Sequence, residues 1–236
     1  MRGCECSGKV LPLYDDQKTS TFPVLTILLI AVNTLVFALW QVPLGVNESV
    51  MHAALVPAEW TQAPGVVTFH HMINSMFMHG SWMHLIGNMW FMWIFGNNVE
   101  DAMGHFRFII FYLVCGALAD FAHIAYDPQS QVPMIGASGA VSGVLGAYLV
   151  LHPRASVVTL VPLGIFTRLM ELPAFVFLLF WIALQIFSQM ASAVPSRHPG
   201  QGGGVAYLAH IGGFAAGLAL IFFFKKERRS RSVERF

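Results

Sequence analysis

Charge is scarce in this chain. Only 11% of its 236 residues are Asp, Glu, Lys or Arg, where a soluble domain carries about a quarter. Five stretches have no charged residue for 25 positions or more: Thr19–Asn47, Trp60–Val99, Pro128–Pro153, Leu172–Ser196 and His198–Phe224. That excludes an ordinary water-soluble domain. Cysteine is also sparse. Cys4, Cys6 and Cys115 cannot build a disulfide framework, and Cys4-Glu5-Cys6 falls short of the four ligands of a structural zinc site. There is no surplus of positive charge, since the net value is +1, and no basic-aromatic stripe, so no nucleic-acid partner is expected. The first apolar run begins near Phe22 and is longer than the roughly 7–15 residues of a signal-peptide core, so no signal peptide is expected. No internal repeat or paired broken helix suggests a small transporter.

What the chain has is apolar surface, at 56% of residues. A bilayer span needs about 20 largely apolar residues. The pattern predicts an all-α membrane protein with six spans at about 22–42, 81–97, 105–126, 136–151, 172–192 and 205–224. They form one domain, 22–224, between an N-terminal tail, 1–21, and a basic C-terminal tail, 225–236. Loops are marked by Pro43, Gly45 and Pro57, by Gly96-Asn97-Asn98, by Asp127-Pro128, by Pro153 and Pro162, and by Pro195 through Gly204. Lys and Arg favour cytoplasmic loops. With both termini cytoplasmic, 12 of the 13 Lys and Arg residues lie inside and only Arg197 lies outside. The fourth span is short, enclosed by Asp127-Pro128 and Pro153. A short helix at depth needs protein or a water-filled cavity around it, so the reading places it at the centre of the bundle.

Three runs carry chemistry. Ser138 stands at the outer end of the fourth span in Gly136-Ala137-Ser138-Gly139, with Ser142 one turn later. His210 stands near the outer end of the sixth in Ala209-His210-Ile211-Gly212-Gly213. Gly139 with Gly143, and Gly213 with Gly217, are small-residue pairs that let membrane helices approach closely. The fourth and sixth spans can therefore touch and bring Ser138 to His210, a weak nucleophile to its base. His84 and Asn88, four apart in the run His79 through Asn88, share one face of the second span. Their N–H groups can meet an oxyanion, as can the Ser138 backbone amide at its helix N-terminus. Each motif alone is compatible with plain packing. Three at matching depth are harder to explain that way.

With these residues in view, the chain resembles the rhomboid family of intramembrane serine proteases. The resemblance runs from Leu11-Pro12-Leu13-Tyr14-Asp15-Asp16 to Gly217-Leu218, and it includes the turn Glu100-Asp101-Ala102-Met103-Gly104. It implies a Ser–His dyad with Ser138 as nucleophile and His210 as base, an oxyanion hole using His84 and Asn88, and no metal or other cofactor. It further implies cleavage of single-pass membrane proteins near the outer face and a lateral gate between the second and fifth spans. Many members carry an aromatic residue beside the histidine where this chain has Ser142, which is expected to pack or hydrogen-bond without attacking.

Other polar residues leave alternatives open. Asp120 in the third span could orient His210 as a triad acid, or pair with His123. His70, His71 and His79 could suggest a metal, but His79 and His84 are five apart and lack the spacing of a zinc helix. His79 is read as structural. The first loop, 43–80, holds Trp60, Val66, Val67 and Phe69 and is expected to lie in the membrane interface. The bulky Phe175, Phe177, Phe180, Trp181 and Phe187 of the fifth span are read as lipid-facing surface or gate, and the glycines of Ala193–Gly204 as a cap over the site. The expected location is a bacterial plasma membrane. The alternative to a protease is a non-catalytic relative that binds membrane clients.

Overall fold

The computed structural model of the chain describes residues 11–163, 166–192 and 206–226. The cap segment Ala193–Gly204, Arg197, Cys4, Cys6 and the basic residues from Arg228 onward lie outside the described residues, as do Arg2 and Lys9.

Each expected span is a helix. The first is α1 (Val24–Leu44). Three short helices follow in the first loop: α2 (Val46–Ala53), α3 (Pro57–Gln62) and α4 (Val66–Ser75). Then come α5 (Trp82–Met103), α6 (His105–Tyr126), α7 (Ser138–Leu151), α8 (Ala174–Ser192) and α9 (Tyr207–Phe224). Four of them, α1, α6, α8 and α9, are long and apolar enough to cross a membrane. The 22-residue α5 matches them in length but carries more polar side chains. The 14-residue α7 extends about 21 Å at 1.5 Å per residue, short of a hydrocarbon core of about 30 Å.

As expected, α7 is central: of the twelve residues from its N-cap Ala137 to Tyr148, all are buried except Ser138. The helix rests on α9 backbone to backbone. A Cβ added at Gly213 would stand 2.1 Å from the Gly139 carbonyl oxygen, and one at Gly217 would stand 1.9 Å from that of Gly143. On its other side α7 meets α6, where a Cβ at Gly143 would stand 2.5 Å from the Cβ of Cys115. The small-residue pairs thus do what their spacing predicted.

Two expectations need correcting. The fold is not purely α-helical. β1 (Leu11–Asp15) pairs antiparallel with β2 (Ser156–Leu163), which pairs antiparallel with β3 (Phe166–Pro173). Pro153 and Pro162 suggested an irregular loop here. The β-branched run Val157-Val158-Thr159 suits a strand better, and β1 supplies the partner that a short sequence window cannot see. Second, Gly96-Asn97-Asn98 does not end the second span. Gly96 lets α5 press against the Thr26 side chain, and Asn98 Nδ2 donates to Asp15 Oδ2 at 2.8 Å, so the helix runs on. It stops at Gly104, whose φ of +81° breaks the ladder.

The sheet fixes the polarity of the bundle. The hydroxyl of Tyr148, near the C-terminus of α7, donates to Asp15, and Trp90 of α5 donates to the Pro12 carbonyl at 2.7 Å. Lys226, just past α9, bonds the Ala102 carbonyl at 2.9 Å. Strand β1 and the ends of α5, α7 and α9 therefore share one side. The N-termini of α5, α7 and α9 gather at the other, with Ser138, His84 and His210.

Candidate active site

Ser138 opens α7, and the first loop holds it there. The Met134 amide donates to the Leu55 carbonyl at 2.7 Å and the Gly136 amide to the Ser75 carbonyl at 2.8 Å. Gly136 has a φ of +126°, where a side chain would be strained. A Cβ there would also stand 2.7 Å from His84 Nε2 and 3.5 Å from Ser138 Oγ. A glycine leaves that space free, and His84 and Ser138 face each other across it. The amides of Ser138, Gly139 and Ala140 begin the helix and have no partner within its ladder.

His84 and Asn88 project from the first turns of α5. The Ser81 hydroxyl caps this helix by accepting from the His84 amide at 3.1 Å. The Gly80 amide donates to His84 Nδ1 at 3.4 Å, which leaves Nε2 carrying the ring hydrogen. Asn88 Nδ2 lies 3.0 Å from His79 Nε2, to which it donates. His79 is fully buried and clamped at the backbone by Gln41, whose Oε1 accepts from its amide at 2.8 Å and whose Nε2 donates to its carbonyl at 3.2 Å. Gln41 ends the π-helical stretch Val36–Gln41 of α1, which turns that side chain inward. His79 is the structural member that the sequence suggested.

His210 occupies the first turn of α9. Its Nδ1 is 2.8 Å from Oε1 of Gln185 on α8. The Trp181 ring lies tilted at 31° with its centroid 6.1 Å away, and the Tyr207 ring stands edge-on at 6.4 Å. Ser138, His210, Asn88, Gln185, Trp181 and Phe91 all line one cavity of about 160 Å³. Three of the four expected site residues thus meet at a single space, and His84 reaches the same loop through Gly136. A hydroxyl, an imidazole and several N–H donors in an otherwise apolar pocket can perform acyl transfer.

The remaining candidates separate from this group. Ser142 also borders the cavity, but its hydroxyl donates to the Ser138 carbonyl at 2.6 Å, back along its own helix. Asp120 does not hold His210, because the nitrogen that a triad acid would take is bonded to Gln185. Nor does Asp120 pair with His123: among the described residues no hydrogen bond joins them, and Asp120 Oδ2 and His123 Nδ1 are both buried without a partner. Among the described residues no group of three His, Cys, Asp or Glu could hold a metal.

A model of the rhomboid domain matches residues 67–227, a segment that contains His84, Asn88, Ser138 and His210. The chain belongs to the rhomboid family. The human mitochondrial presenilin-associated rhomboid-like protein is 30% identical over 160 residues, covering 66% of this chain and 38% of the human protein. Rhomboid protein 1 of Saccharomyces cerevisiae mitochondria is 29% identical over 137 residues, 56% of this chain and 38% of that protein. The chloroplastic rhomboid-like protein 11 of Arabidopsis thaliana is 26% identical over 163 residues, 67% and 53% of the two chains. This rhomboid therefore spans a little over a third of the length of the mitochondrial relatives it matches.

Two amides at the site of this rhomboid escaped the sequence reading, Gln41 and Gln185. The available signal was their position. Each is a polar side chain inside an uncharged apolar run, where such groups are expensive and so point to a task. The bulky aromatics around Gln185 by themselves suit only lipid-facing surface or a gate.

Proposed function

We propose that this rhomboid is an intramembrane serine endopeptidase with six membrane-crossing helices, cutting single-pass membrane proteins with Ser138 and His210. The observation that carries the reading is the convergence of Ser138, His210 and Asn88 on one cavity from three helices. His210 Nε2 takes the proton of the Ser138 hydroxyl as Oγ attacks the scissile carbonyl carbon. The carbonyl oxygen becomes an oxyanion, met by N–H groups of His84, Asn88 and the α7 N-terminus. The intermediate collapses, the amine leaves with the proton from His210, and an acyl-enzyme remains on Ser138. Water, deprotonated by His210, then releases the acyl group. Each oxyanion donor contributes about 3–4 kcal/mol in reactions of this kind.

The substrate bond must leave its helix, because a helical carbonyl is already hydrogen-bonded. Small or helix-weakening residues near the cut are therefore expected. Entry between α5 and α8 suits the loose packing of α8. Phe91 faces Trp181 across that seam with ring centroids 6.4 Å apart, while Phe180 and Phe187 are exposed. The membrane we propose is a bacterial plasma membrane, with both termini cytoplasmic and the cut near the outer face. The organellar names of the relatives lend that location no support, and fractionation of the source cell tests it.

The deciding experiment incubates purified wild type, Ser138→Ala and His210→Ala with a single-pass substrate. Cleavage by wild type alone is the expected result. If wild type binds the substrate as the two variants do and never cuts it, the protein is a client-binding relative. Equal cleavage by all three would remove Ser138 and His210 from the chemistry.

A further inference from the structure

A base works only if its lone pair faces the nucleophile. A neutral imidazole carries its hydrogen on one nitrogen and its lone pair on the other, and a bond to one nitrogen sets the character of the other. In this structure His210 Nδ1 lies 2.8 Å from Gln185 Oε1. This orientation of the amide also places Gln185 Nε2 toward the Trp181 carbonyl, 3.5 Å away, in the preceding turn of α8. The oxygen that remains can only accept, so the hydrogen belongs on Nδ1 and the lone pair on Nε2. The same bond persists when His210 becomes an imidazolium, because both nitrogens then donate.

The usual means of holding the ring is missing here. An aromatic residue one turn after Ser138 would stack on it, and that place is taken by Ser142, whose hydroxyl is turned back to the Ser138 carbonyl. Trp181 and Tyr207 restrict the ring from two sides at centroid distances of 6.1 and 6.4 Å. Packing of that kind restrains tilt but does not choose between ring nitrogens. Gln185 does. Gln185 also borders the same cavity as Ser138, so its amide lies beside the reacting groups and not on a remote helix face.

We propose that Gln185 is a positioning residue that fixes the Nδ1–H form of His210 and aims Nε2 at Ser138, making the site a serine–histidine–glutamine assembly. An amide does this without placing a negative charge in the membrane. An asparagine amide has the corresponding place beside the histidine of papain-like cysteine proteases. Because Gln185 belongs to α8 and His210 to α9, the bond also ties one wall of the seam to the base. Displacing α8 would release the ring.

The inference rests on the protease reading, and the test keeps the two apart. Wild type, Gln185→Leu, Gln185→Glu and Ser138→Ala are compared for cleavage, melting and the ring-nitrogen NMR signals of isotope-labelled histidine, with His210→Ala assigning the signal. Expected in wild type is a His210 signal with the hydrogen on Nδ1. Expected in Gln185→Leu is loss of that single form, and a kcat lower by about 10–100-fold, the cost seen when the outer partner that orients a metal-bound histidine is removed, with KM and melting unchanged. Gln185→Glu, which keeps the accepting oxygen, should restore both the signal and most of kcat. A wild-type His210 signal with the hydrogen on Nε2 overturns the proposal even if no Gln185 variant can be purified. So does wild-type kcat in Gln185→Leu. If wild type does not cleave at all, the protease reading falls, while the NMR comparison still decides whether Gln185 orders the ring.

Discussion

Asn88 has two amide hydrogens, and His79 Nε2 takes one of them at 3.0 Å. The other is left to point into the cavity that Ser138 lines. His79 therefore aims Asn88, and Gln41 aims His79. Asn88→Ala should lower kcat by about 10²–10³-fold with little change in KM, since the donor acts on charge that exists only in the transition state. Steady-state cleavage measures this, and a rise in KM alone would make Asn88 a substrate contact instead. Ser142→Ala should retain most activity while Ser138→Ala abolishes it, because the Ser142 hydroxyl is spent on a backbone carbonyl. The reverse pattern would exchange their roles. At this scale the sequence was legible wherever a reactive group stood in an apolar run, as with Ser138, His84, Asn88 and His210. Gln185 was in the same situation, but an amide has no obvious chemistry of its own. Its value appears only beside a particular ring.

Helices α7 and α9 touch through carbonyls and glycine Cα atoms, and that is a property of neither helix alone. Gly217→Ala should destabilise the protein by at least about 1–3 kcal/mol, the usual cost of overpacking. The added Cβ would stand 1.9 Å from the Gly143 carbonyl oxygen, and backbone cannot rotate away as a side chain can. Thermal unfolding in detergent measures the loss, and an unchanged melting temperature would mean that the helices are further apart than described. The small-residue spacing made this contact predictable. The sheet was not, for a physical reason. A strand is defined by its partner, and four of the expected spans lie between β1 and β2 in the chain. The helix end at Gly104 was missed similarly: Gly96 and Asn98 look like loop residues until Thr26 and Asp15 are placed beside them.

At the scale of the whole molecule, the side opposite the site is held by carboxylates. Glu100, fully buried, accepts from the amides of Leu25 and Thr26 and from the Thr26 hydroxyl, at 2.7–2.9 Å. Asp101 does the same for Ser20 and Thr21. The Leu25 and Thr26 amides are among the unpaired ones at the start of α1, where negative charge is favoured, and Ser20 and Thr21 belong to the segment leading into it. Asp15 answers to pH. Burial pushes its carboxyl above the ordinary value, and the Tyr148 hydroxyl bond pulls only partly back. A raised native value means that folding favours the protonated form. This contribution is complete below the unfolded value of 3.8 and is lost as pH rises through the native one. Wild type should thus gain stability relative to Asp15→Asn as the pH is lowered from neutral into the acid range. Paired melting curves that keep a constant separation would contradict this. One further consequence follows from where His210 sits. Helix α9 follows α6 and α7 in chain order, yet it seats against both, and β1 must wait for β2, with Leu11 opposite Leu160. During synthesis, then, Ser138 enters the membrane well before His210, and under the proposed function the growing chain passes its neighbours in the bilayer with no means of cutting them until α9 has been made.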